Sequence, residues 1–143
     1  MISLALILAL QAAAPVLSPS PGSDPLAAIG KQSLPTRGCA AYLWTLDDRR
    51  LVAMASADTA RIRLAIDGKL GDFALTDQTG SAGFGFAGVT QYRGGDVTAT
   101  LDMAIATRGD ITAGATVTAA SLRIDRPGRD TVVVPVGGLI GCV

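Results

Sequence analysis

The sequence predicts an all-β domain, a small antiparallel β-sandwich or closed barrel of about eight strands fastened by one disulfide. Three observations lead there. Apolar residues recur with period two, turn-forming residues punctuate the chain at short intervals, and helix-supporting chemistry is scarce. The 143 residues include no Glu, so capping boxes and the usual i,i+4 charge pairs of helices are missing.

Met1 to Ala14 read as a signal peptide. Ile2 to Leu10 form an apolar run broken only by Ser3, shorter than the roughly 20 residues that span a bilayer, and Ala12, Ala13 and Ala14 offer a small-residue cleavage region. Five of the seven prolines then fall between Pro15 and Gly38, which predicts a flexible Pro/Ser-rich spacer over 15–38. The folding domain is expected over 39–143. In an exported chain the two cysteines have one possible pairing, and Cys39 bonded to Cys142 would hold the last strand beside the first.

Within the domain, Ile62, Leu64 and Ile66 alternate with Arg61, Arg63 and Ala65. Val97, Ala99, Leu101, Met103 and Ile105 alternate with Thr98, Thr100, Asp102 and Ala104. Both segments are half-buried strands by this pattern. Asp47 and Asp48 divide Cys39–Leu46 from Leu51–Ser56. Asp67-Gly68 marks a tight hairpin between Ala60–Ile66 and Lys69–Thr76, because Gly tolerates the positive φ of such a turn. Gly94-Gly95 separates Val89–Arg93 from Asp96–Thr107. A long strand, Ile111 to Asp125, is expected to bend or bulge near Gly114. Pro127-Gly128 suits a type II turn before Thr131–Val136. Tyr42 and Trp44 share one face of the first strand, opposite Ala41 and Leu43. In a chain with 4% aromatic residues they are assigned to the core.

Composition excludes several functions. Twelve basic residues balance twelve acidic ones, leaving no excess to neutralise a phosphate backbone, so no nucleic-acid partner is expected. His is absent, which removes Ser-His-Asp and Cys-His catalysis and the commonest metal ligand. The chain is therefore read as no enzyme, with no cofactor and no metal. Six aromatic residues are too few for the two girdles of a membrane barrel, and no membrane anchor is expected after leader removal.

Two motif matches fail on context. Gly83-Phe84-Gly85-Phe86-Ala87-Gly88 spells G-x-G-x-x-G, but a short strand follows it instead of the helix that would receive a pyrophosphate, and Phe84 and Phe86 are expected to turn into the core. Arg108-Gly109-Asp110 spells an adhesive tripeptide but equally suits a turn. The asymmetric feature is ten Arg against two Lys. Arg49, Arg50, Arg61 and Arg63 fall on neighbouring strands, and guanidinium groups grip carboxylate or phosphate in a planar, bidentate way. The alternative for these side chains is surface pairing with Asp47, Asp48, Asp58 or Asp72. The expectation is a periplasmic or extracellular, non-catalytic binding or interaction module. Its partner would be another envelope protein, a secreted hydrolase to be inhibited, or a small anionic ligand. A passive structural accessory is the rival reading.

Overall fold

A computed structural model describes residues 24–143. The expected signal peptide, 1–14, and residues 15–23 of the expected spacer lie outside the described residues. Nine strands and no helix are described: β1 (Leu26–Ala27), β2 (Cys39–Thr45), β3 (Leu51–Ser56), β4 (Arg61–Ile66), β5 (Lys69–Thr79), β6 (Val89–Gly94), β7 (Val97–Ala106), β8 (Gly114–Asp125) and β9 (Val132–Cys142).

From β2 onward each strand pairs antiparallel with the next, and β9 returns to pair with β2. The result is a closed eight-stranded up-and-down barrel, which leaves none of these strands with a free edge. Of the two architectures expected, the barrel is the one formed. β1 is the extra strand. It takes the edge of β4 at Ile66 and Ala65, just beyond the last β3 pair at Leu64.

Closure is made by a register of seven residue pairs from Cys39↔Cys142 to Thr45↔Val136. The outermost pair is the disulfide, which spans 103 residues of sequence. Such a bond is consistent with an oxidising, non-cytoplasmic compartment. The inner wall supplies the core: Leu43, Ile62, Leu64, Leu101, Leu122, Ile124 and Val136 are at most 2% exposed and belong to one cluster. Eight strands enclose a space that side chains can fill, and here they fill it.

The turns obey their backbone chemistry. Asp67 and Gly68 have φ of 51° and 81°, the two positive values of a type I′ hairpin. Between β6 and β7 the tight turn is Gly95-Asp96, one residue later than expected. Gly94 is instead the last residue of β6, paired with Val97, and a Cβ there would come within 2.3 Å of the Phe73 ring that packs across it.

Four expectations are corrected. Residues 24–38 do not form a free spacer: Leu26 and Ile29 are 1% and 7% exposed, and the Ile29 amide donates to the Leu51 carbonyl. Tyr42 and Trp44 are not core residues. Leu43 and Ala41 point inward, while the Tyr42 hydroxyl donates to the Ser33 carbonyl on the outside at 2.9 Å. The irregularity in β8 lies between Val117 and Ala120, whereas Gly114 opens the strand pressed against the Ile140 carbonyl. The last strand runs on to Cys142 instead of stopping at Val136.

Candidate functional site

The four arginines separate into two groups because β3 and β4 run antiparallel. Arg49 and Arg50 lie in the turn that enters β3, at one end of the barrel, and Arg61 opens β4 at the other end. A strand of six residues rises roughly 20 Å, so the two groups are not one site. Arg50 is engaged locally: it pairs with Asp48 and Asp24 and donates to the Leu26 carbonyl, tying β1 to the β2–β3 turn. Arg49 is exposed, with φ of 53°, and makes no ion pair among the described residues.

Arg61 and Arg63 stay together on the outer wall, as the alternation with buried Ile62 and Leu64 requires. Arg63 is gripped from both sides. Its Nε and Nη2 donate to the two oxygens of Asp72 at 2.8 and 3.1 Å, and its Nη1 donates to Gln32 Oε1 at 2.9 Å. Arg61 stands between Ser56 of β3 and Ala74 of β5 and makes no ion pair among the described residues. Met54, Ser56, Thr59, Arg61, Arg63 and Asp72 line a shallow cleft of about 230 Å³ here. It shares Met54, Ser56 and Thr59 with a groove of about 480 Å³ whose opposite bank is Pro35 to Arg37. The chemical capacity of the cleft is that of one uncommitted guanidinium beside two hydroxyl side chains, with a second guanidinium already neutralised.

Sequence reasoning found Arg61 and Arg63 but missed Ser56, Thr59 and Gln32. Ser56 reads only as the end of a strand, Thr59 lies between two expected strands without a role, and Gln32 belongs to the expected spacer. Phe86 is buried at 6% and Phe84 is half-buried against the core, both in a loop without any helix. Arg108 and Asp110 turn on each other in a bidentate pair at 3.1 and 3.0 Å, which occupies the two charges of the adhesive tripeptide. Among the described residues no three carboxylate or thiol side chains gather as a metal site.

The carboxylates carry a pH consequence. Hydrogen bonding from Arg63, with the charges of Arg63 and Arg61, holds Asp72 below its usual range against the opposing effect of burial. Thr131 and then Arg123 lower Asp125 in the same way. A carboxylate depressed in the fold contributes stability that is full above its unfolded pKa of about 3.9 and is lost as pH falls through the folded value. With no His or Glu in the chain, thermal melts followed by circular dichroism are expected to be nearly level from about pH 5 to 8 and to drop below about pH 4.

No protein-family model, no curated protein and no solved structure matches this chain.

Proposed function

We propose that the chain is an exported, non-catalytic binding module of the cell envelope, working in the periplasm or outside the cell, and that it recognises an anionic group through Arg61. The observation that carries this reading is the state of Arg61: an exposed guanidinium in a cleft, flanked by Ser56 and Thr59, while neighbouring Arg63 is spent on Asp72. The packed middle of the barrel and the absence, among the described residues, of any charged side chain at its mouth favour recognition of an anion on the outer wall. The shallow, open shape favours a carboxylate or phosphate group carried by a larger partner, since such a cleft encloses little of a free small molecule.

The test separates recognition from folding. Arg61→Gln removes the charge that has no ion pair and, because its effect on Asp72 acts through solvent-exposed charges, is expected to change the melting temperature little. Arg63→Gln frees Asp72 and Gln32, and because that pair is more than a third exposed its loss costs at most about 1 kcal/mol. Titration with inorganic phosphate at fixed ionic strength, read by amide chemical shifts, should give saturable changes at Ser56, Thr59 and Arg61. Arg61→Gln should abolish them, and Arg123→Gln, on the far wall, should not. Equal response in all three proteins would make the arginines ordinary solvated surface and end this proposal.

A further inference from the structure

The end of the barrel that bears the disulfide also holds a cleft of a different chemical character. The loop from Gly80 to Gly88 joins β5 to β6 with Gly80, Gly83, Phe84 and Gly85 all at positive φ. It folds on itself: the Ala82 amide donates to the Phe86 carbonyl and the Phe86 amide to the Gly83 carbonyl, both at 2.9 Å. This places Phe86 in the barrel mouth and seats Gly85 against Ala57 of the β3–β4 turn, where a Cβ would come within 3.2 Å of the Ala57 methyl. Beneath the loop lies a cleft of about 220 Å³, walled by Ala57, Leu75 and Phe86 and reached by Gln78 at its rim.

Two hydroxyl groups enter it from the inner wall of β6. Thr90 and Tyr92, two residues apart, are 4% and 2% exposed and are the polar side chains buried deepest around the cleft. Burial pushes the Tyr92 phenol up to about 12, against a smaller opposing influence of the neighbouring Thr90 hydroxyl. The phenol therefore keeps its proton at neutral pH and can act as a donor. No charged side chain lines the cleft, so an ion entering it would lose its hydration without compensation. Cavities of about 150 Å³ already accept an aromatic ring, so the space suffices for a molecule of several heavy atoms.

We propose that this cleft binds a small neutral molecule bearing an acceptor oxygen, such as an amide or ester carbonyl, which receives the Tyr92 hydroxyl while its alkyl part lies between Leu75 and Phe86. The two clefts meet at Ser56, which lines both, but this one holds no arginine, and its binding is read at Leu75, Phe86, Thr90 and Tyr92 independently of Arg61. N-isopropylacetamide is a suitable probe, titrated into the isotopically labelled chain. Saturable amide shifts are expected at Leu75, Phe86, Thr90 and Tyr92 with millimolar affinity. Tyr92→Phe keeps the ring and removes the donor, and should weaken binding about fivefold or more. Thr90→Val, an alternative should Tyr92→Phe fail to fold, removes the second hydroxyl lining the cleft and should also weaken it. Sodium acetate of matched concentration should not shift these residues. Absence of saturable shifts, unchanged affinity in the folded variants, or equal binding of acetate would overturn the proposal.

Discussion

Replacing Cys39 and Cys142 together by serine is expected to lower the unfolding free energy by about 4 kcal/mol while leaving the far-ultraviolet circular dichroism close to that of the parent. The magnitude follows from the 103-residue separation, since the chain-entropy model assigns a loop of about 100 residues some 4–5 kcal/mol through restriction of the unfolded state. The persistence of secondary structure follows from the register: six further β2–β9 pairs, from Ala40↔Gly141 to Thr45↔Val136, still close the barrel without the covalent bond. Urea unfolding checks both. The midpoint should fall, and the slope should rise because the uncrosslinked unfolded chain exposes more surface. An unchanged midpoint would remove the disulfide from the account of stability.

Gly138→Ala is expected to be the most damaging single methyl addition on β9, costing about 3 kcal/mol. A Cβ at that position would lie 1.8 Å from the Tyr42 carbonyl oxygen and 3.1 Å from the Trp44 ring. The nearer obstacle is backbone on the partner strand of the closing pair, so relief requires β2 and β9 to move apart, and overpacking that shifts backbone sits at the upper end of its usual cost. Three residues on, Gly141→Ala is the internal control. Its Cβ would meet nothing closer than 3.4 Å, from the Leu34 side chain, and the change should stay within about 0.5 kcal/mol. Chemical unfolding of the two variants side by side separates a demand for close backbone approach from a general need for glycine in this strand.

Much of the barrel was legible because its inner wall is apolar and most of its outer wall is polar. Ile62 and Leu64 against Arg61 and Arg63 mark their own faces, and Asp67-Gly68 names its turn by its need for positive φ. That the last strand lies beside the first could be anticipated from Cys39 and Cys142, while the choice between sandwich and barrel could not. The first strand concealed its face because Ala41 and Leu43 alternate with Tyr42 and Trp44, so that both rows are apolar and alternation carries no direction. The choice is made by β9, whose Gly138 and Gly141 give the two aromatic rings a place on the outer wall. Leu26 and Ile29 were hidden for a different reason, since a composition average over a proline-rich stretch cannot register two buried residues, one beside β4 and the other bonded to the start of β3. At the site, Arg61 and Arg63 were readable from alternation. Their separation from Arg49 and Arg50 was not, because closeness in sequence suggested neighbours where an antiparallel strand places its two ends far apart.

Recognition at the outer wall by Arg61 is measured most directly by capture of envelope partners. The immobilised chain and its Arg61→Gln variant would be exposed in parallel to envelope extract, with bound protein quantified at low and at physiological salt and both chains verified to melt at the same temperature. The expected result is a partner retained by the parent chain, weakened by salt as exposed charge pairs are, and lost from the variant. Retention of the same partner in the same amount by both chains would contradict it.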